Sequence, residues 1–295
     1  PNLSNGEKGA WITPLAADPN STSTLYIAYN KVYKSTNQGS NWTIIGSGLG
    51  SSSKEYLKVA PSNSNYIYTG VTNKLYRTTN GGSSWNEMTV PGNGVRDIAI
   101  HPTNPSTIWA VLSNYLSGQK VYKSVNGGAT WTKISGSLPN IPANCIVYQN
   151  GTNDGLYVGM DVGIFYLDNL IPDWQLFNNG LPNVQVMDLD INYDIHLLYA
   201  GTYGRGLWHS GLHSNQLGGT YTVGDGQDFE TLTDAINTYN NSCLSSNVVF
   251  ELTDASYSSG EIFPITIHQH PSADVDKTLT IRPANGVNTN LFGGT

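Results

Sequence analysis

The sequence predicts an all-β protein built from repeated four-stranded antiparallel sheets, a β-propeller, on three observations. A pattern S/T-x-N-x-G-x-x-W occurs three times, within STNQGSNWT (35–43), TTNGGSSWN (78–86) and SVNGGATWT (124–132). Short alternating strands end at residues 35, 78, 124, 167 and 210, so the period is close to 43 residues, with three extra in one step. Charged residues make up only 12% of the chain, against 32 glycines and 18 tyrosines. That balance suits strands and turns better than helices or a disordered chain.

Each period carries four strand signals separated by Gly, Pro, Asn and Asp punctuation. The first unit reads WITPLAADP (11–19), TLYIAYN (24–30), KVYKS (31–35) and NWTII (41–45). The second gives YLKVAPS, YIYTGVT, KLYRT and WNEMTV; the third RDIAIHP, TIWAVLS, KVYKS and TWTKIS; the fourth NCIVYQN, LYVGM, GIFYL and WQLFN. A fifth unit reaches GLWHS (206–210) and shows no fourth strand. The three extra residues fall in LSGQ (116–119), where a loop insertion is tolerated. Four short strands per unit of this length is the pattern of a propeller blade.

The repeated motif then reads as the hairpin between the third and fourth strands. Gly39, Gly82 and Gly128 supply a positive φ at no steric cost. Asn37, Asn80 and Asn126 brace the turn through Asx-type bonds, and Ser35, Thr78 and Ser124 do the same. Trp42, Trp85 and Trp131 open the fourth strand and cover the blade. A structural role is expected for all twelve residues.

This motif resembles the Asp box, or BNR repeat, of sialidases, sortilin-type receptors and xyloglucan-hydrolysing propellers, with Asn where the box usually has Asp. The resemblance covers about residues 9–212 and includes a degenerate fourth copy, LDNLIPDW (167–174), that keeps Asn169 and Trp174. It implies about five blades here, in a family that more often has six to eight, and so an arc of a larger propeller. The expected division is 1–214 for the blades and 215–295 for a second module. In that module GGTYTVGDGQDFETLTDAINTYNNS reads as a strand, a turn and one helix capped by Asp228. Strands follow at 247–257, 261–268 and 277–284, about 15 residues apart. The module resembles the start of a right-handed parallel β-helix of the pectin-lyase type. It is also similar to modules of large Bacteroidota surface proteins, which implies a secreted or cell-surface location and export by type IX secretion machinery. The ends of the chain, PNLSNGEKG and NLFGGT, suggest a mature fragment or a truncated chain.

A net charge of −7 and a pI near 5.2 argue against nucleic acid as a partner. No apolar run is long enough for a membrane span. A sialidase-like site would need an arginine triad, and the four arginines, Arg77, Arg96, Arg205 and Arg282, do not supply it. A glycosidase needs two carboxylates across one cleft. Asp97, Asp161, Asp188 and Asp190 are candidates, and Asp188 and Asp190 share a strand face, about 6–7 Å apart by strand rise. They serve equally well as the lining of a polar channel. Tyr203 and Arg205, in YGRG, either contact a ligand or lock blades together; Trp109, with Trp11 and Tyr115, either stacks on sugar rings or fills gaps between blades.

No metal or cofactor is expected: the imidazoles of HQH (268–270) lack a nearby acidic or thiol partner, and GDGQD (224–228) lacks a full calcium-loop pattern. Cys145 and Cys243 are read as separate thiols or a single disulfide. The expected function is a secreted or surface-exposed binding and scaffold protein, adhesin-like, that presents propeller loops to glycan or protein, with no catalysis in these residues. The alternatives are a polysaccharide-degrading hydrolase and a sortilin-like peptide receptor.

Overall fold

The strand signals fold, in a computed structural model, into a five-blade β-propeller followed by a short helix and small parallel sheets. The structure describes residues 7–178, 180–213, 216–240, 242–258, 260–267 and 277–292. Blade 1 contains β1 (Leu15–Asp18), β2 (Ser21–Ala28), β3 (Val32–Ser35) and β4 (Thr43–Gly46). Blade 2 contains β5 (Tyr56–Val59), β6 (Ile67–Val71), β7 (Lys74–Thr78) and β8 (Asn86–Thr89). Blade 3 has β9 (Val95–Ile100), β10 (Ile108–Leu112), β11 (Val121–Ser124) and β12 (Thr132–Lys133). Blade 4 has β13 (Ala143–Gln149), β14 (Gly155–Met160), β15 (Gly163–Leu167) and β16 (Gln175–Leu176). Blade 5 is a three-stranded sheet of β17 (Val186–Asn192), β18 (Leu197–Thr202) and β19 (Gly206–Gly211).

The core lies between blades. Ile108, Ala110 and Leu112 of β10 pack on blade 2 residues such as Tyr68 and Leu75, whereas Trp109 and Val111 face blade 4 residues such as Ile146 and Val158. A strand buried on both faces needs apolar residues at every position, which is why IWAVL runs unbroken instead of alternating.

The turn chemistry recurs in three blades. Ser35, Thr78 and Ser124 accept the N–H of Gly39, Gly82 and Gly128 through their hydroxyls at 2.8–2.9 Å. Asn37, Asn80 and Asn126 accept the N–H four residues on. A Cβ on Gly82, at φ +98°, would lie 2.6 Å from the Ile45 Cβ. The degenerate fourth copy is braced by a different residue from the one its pattern suggests. Asp168 Oδ1 accepts the Leu170 and Ile171 N–H groups, while Asn169 turns away to Asn153 and Asp154.

The indoles reach further than their own blade. Trp85 Nε1 donates to Ile45 O of blade 1 at 2.7 Å, and Trp174 Nε1 to Ile134 O of blade 3 at 2.7 Å. Trp42, in blade 1, instead donates to Gly39 O of its own turn at 2.8 Å. Trp131 packs against the cluster shared by blades 2 and 3. Blades 3 and 4 are also clasped by polar groups. Lys123 Nζ meets Asp154 Oδ2 at 2.7 Å, and His101 Nδ1 accepts the Thr103 and Asn104 N–H groups, which turns Nε2 towards Asp154.

By density of contacts the chain divides into Pro1–Asp190 with Ala200–Trp208, and Ile191–Tyr199 with His209–Thr295. In the second unit β20 (Gln216–Val223), β21 (Cys243–Leu252) and β23 (Leu279–Pro283) form a parallel sheet, and β22 (Ser256–Tyr257) pairs in parallel with β24 (Asn290–Leu291). Helix α1 (Leu232–Asn240) buries Leu232, Ala235, Ile236 and Tyr239 against Val248 and Phe250.

Two expectations are corrected in this unit. Asp228 does not cap the helix, because its carboxylate accepts the Thr222 N–H and hydroxyl; Thr231 Oγ1 takes the Asp234 N–H instead. Residues 261–267 form no strand. Glu261 turns to the helix N-terminus, where its carboxylate accepts the Leu232 and Thr233 N–H groups at 2.7 Å, and Pro264 has no N–H for a ladder. The two histidines of HQH lie outside the described residues. Cys145 is a free, buried thiol, and the Cys243 side chain lies outside the described set.

Candidate functional site

Each blade runs its first strand along the inside of the propeller, and the antiparallel order brings the starts of these strands to one end. The same order carries the β2–β3, β6–β7, β10–β11, β14–β15 and β18–β19 connections to that end. A cavity of about 650 Å³ opens there, lined by the segments that begin the five inner strands. Its size is that of a small-ligand site.

One wall is charged. Lys58 Nζ lies 3.0 Å from Asp97 Oδ1, and Asp97 Oδ2 accepts the Ile146 N–H at 3.2 Å, so one carboxylate holds blades 2, 3 and 4 together. Burial works against the Lys58 ammonium, but the charge and hydrogen bond of Asp97 outweigh it and raise its pKa. Its side chain is 41% exposed, so water in the cavity still reaches it. Asn144 Nδ2 donates to Asp161 Oδ1 at 2.9 Å and to Val186 O at 3.2 Å, joining blade 4 to β17.

Asp188 is the exposed member of the group. Burial in the cavity lifts its pKa above the ordinary aspartate value; Lys58 opposes the shift and Asp97 adds to it. Among the described residues its carboxylate accepts one hydrogen bond, from the Leu189 N–H at 3.0 Å. Beneath it Cys145 is pushed well above the ordinary thiol range, by burial first and then by Asp97 and Asp188, so it stays an unreactive thiol. The other wall is apolar, formed by Trp11, Ile12, Leu15 and Met187, with the Trp11 indole fully exposed.

The residues singled out in the sequence separate in space. Asp188 lines the cavity; Asp190, two residues along β17, does not. Asp97 faces the cavity already paired, and Asp161 is engaged by Asn144. Tyr203 and Arg205 lie on the β18–β19 connection, at the cavity end of the blades. Tyr203 is 74% exposed, and the Arg205 carbonyl accepts the Trp208 indole N–H at 2.9 Å. Among the described residues the Arg205 guanidinium makes no ion pair.

Trp109 is corrected as a stacking platform. It is 1% exposed, with its ring packed against His101 and Tyr148 and the Lys123 ammonium over it, so no ligand ring reaches it. Sequence reasoning passed over Glu55, Lys58, Asn144 and Met187. Their signal is a polar or flexible residue near the start of the first strand in each period, where an inner strand faces the axis. Among the described residues no group of three metal-binding side chains gathers.

Fold and site together define a β-propeller with a mixed-charge cavity at the ends of its inner strands. Residues 30–155 match the family model for Sortilin-Vps10 (sortilin, neurotensin receptor 3). No curated protein matches the chain. Among solved structures, an ancestral GH74 enzyme is 25% identical with a TM-score of 0.52, over 67% of this chain and 28% of its own. The extracellular domain of a protein described as a hybrid two component system from B. thetaiotaomicron is 14% identical with a TM-score of 0.52, over 71% of this chain and 27% of its own. The chain thus spans under a third of each of these structures. No described helix is long and apolar enough to cross a membrane.

Proposed function

We propose that this chain is a non-catalytic binding module of a secreted or cell-surface protein, with the cavity end of the propeller as its ligand face. The observation that carries this reading is the state of the carboxylates at the cavity. Asp97, whose charge acts on Asp188, is spent on Lys58; Asp190 does not line the cavity; and Glu55, the third carboxylate of the lining, is not among the charges that act on Asp188. A glycosidase divides acid and base or nucleophile roles between two carboxylates across a cleft. Exposed aromatics at the same end (Trp11, Tyr115 and Tyr203) suit a binding face better than a reaction centre. The extracellular domain among the structural neighbours is compatible with an exterior location.

On this reading the recurrent turns act as Asp boxes that hold the blades in place, the parallel strands of the second unit begin a β-helical stalk, and export runs through type IX machinery. The second reading is a glycoside hydrolase, favoured by the 25% identity to a GH74 enzyme. Incubating the chain with xyloglucan and measuring reducing ends separates the two. No release above a blank is expected. Release that disappears in the Asp188→Asn, Asp190→Asn double variant would overturn the binding reading.

A further inference from the structure

The cavity carries three carboxylates, Glu55, Asp97 and Asp188, and two cations, Lys58 and Arg96. Lys58 and Asp97 neutralise each other at 3.0 Å. Three carboxylates against two cations leave the lining one negative charge in surplus, and among the described residues Asp188, exposed on β17 and within reach of the Lys58 and Asp97 charges, forms no ion pair. Among the described residues its carboxylate accepts one backbone N–H, and it shares the cavity with Ile12, Leu15, Met187 and the exposed indole of Trp11. We propose that this cavity receives the basic side chain of a partner polypeptide, arginine in preference to lysine, with the flanking residues of the partner crossing the aromatic end of the propeller. The inference rests on the binding-module reading and names its ligand class.

Each part of such a ligand has a counterpart. A guanidinium offers planar paired donors to the two oxygens of Asp188 and a weakly hydrated face to Trp11, whereas an ammonium is a compact, strongly hydrated point charge. Its methylene stem matches Ile12, Leu15 and Met187. Tyr115, 68% exposed, stands on the loop between β10 and β11. That loop is held rigid from below by Lys120, whose buried ammonium donates to Asn114 O and Oδ1, and by Ser113 N–H bonding to Gly94 O. A rigid aromatic presents contact area at low entropic cost. The net charge of −7 steers basic partners towards the chain and acidic ones away.

Asp188 also behaves as a group kept for binding. An ionised carboxylate whose pKa the fold raises weakens the folded state at neutral pH, and a cation placed beside it relieves that penalty.

The test is calorimetric titration of the chain with acetylated, amidated pentapeptides of sequence Thr-Leu-X-Leu-Thr, where X is Arg, Lys, Gln or Glu. A xyloglucan oligosaccharide is run beside them. The expected order is Arg above Lys, with Gln and Glu far weaker, and Arg binding that weakens as salt is added. Asp188→Asn is expected to lower affinity for the Arg peptide about tenfold or more while leaving the melting temperature equal or higher. A purely structural aspartate would lower both. Gln or Glu peptides binding as well as Arg, or an unchanged affinity in Asp188→Asn, would overturn the proposal. Should that variant fail to fold, the Arg against Gln ranking on the native chain decides. Oligosaccharide binding without Arg binding ends this proposal but leaves the binding-module reading; sugar release from xyloglucan ends that reading itself.

Discussion

If indoles hold one blade to the next, replacing Trp174 loosens the contact between blades 3 and 4. Its side chain is 6% exposed and its N–H donates to Ile134 O across the blade boundary at 2.7 Å. Burying an indole of about 150–250 Å² contributes roughly 4–6 kcal/mol gross at about 25 cal/mol per Å². The hydrogen bond adds about 1 kcal/mol net. Trp174→Ala is therefore expected to cost about 3–5 kcal/mol, because the site collapses only in part. Trp174→Phe keeps most of the ring and loses the donor, leaving Ile134 O without this partner, at a cost of about 1–2 kcal/mol. Trp42 is the internal control: half-buried and bonded to its own Gly39 O, it clasps no neighbouring blade, so Trp42→Ala is expected to cost less than half as much as Trp174→Ala. Urea unfolding followed by far-ultraviolet circular dichroism measures all three. Equal losses for Trp42→Ala and Trp174→Ala would refute the inter-blade role, and Trp174→Phe as damaging as Trp174→Ala would refute the area-based magnitude.

Four further outcomes follow from named contacts. Gly82→Ala places a Cβ 2.6 Å from the Ile45 Cβ at φ +98°, and a loss of about 1–3 kcal/mol is expected in the same assay; a neutral result would mean the turn relaxes freely. The Lys54 ammonium is fully buried, with Ser52 O as acceptor and Tyr76 beneath it, and burial pushes its pKa down to about 8 despite the nearby Glu87 charge. The folded state thus holds that proton less tightly than the unfolded chain, and stability should climb between about pH 8 and pH 10, a rise that Lys54→Met abolishes in melting curves. Burial works to raise the Asp154 pKa, but the bond and charge of Lys123, with Asn169 and His101, hold it below the ordinary value. Its stabilisation is therefore present at neutral pH and lost as pH falls through that lowered pKa, so Asp154→Asn should lower the melting temperature at pH 7 and flatten the acid limb. Glu261→Gln weakens the carboxylate that receives two N–H groups at the start of α1, and a loss of about 1–2 kcal/mol should appear in amide exchange of residues 232–239 ahead of the blades.

Much of the fold was legible because its rules are local. Strand period, the Ser/Thr-x-Asn-x-Gly turn and the blade unit depend on residues within about ten positions of one another, and such signals survive in a bare sequence. Asp168 and Asp228 show where even local reading slips. Several polar side chains in a turn can serve as the brace, and packing decides which one does. The strand expected at 261–268 is absent over 261–267 for a related reason: its pattern is apolar enough, yet Glu261 is drawn to a helix terminus of the same unit.

The site was far less legible, since it gathers one or two residues from each of five periods. Sequence alone determined that this chain repeats a small antiparallel sheet, that a glycine turn and a tryptophan mark its outer hairpin, and that Asp188 sits on a strand with Asp190. Only the tertiary structure decided that Lys58 would neutralise Asp97, that Trp109 would be sealed between His101 and Tyr148, and that Asp188 alone of its pair would face the cavity. Side-chain alternation along a strand sets which face a residue occupies, but what it meets there comes from radial stacking of units some forty residues apart.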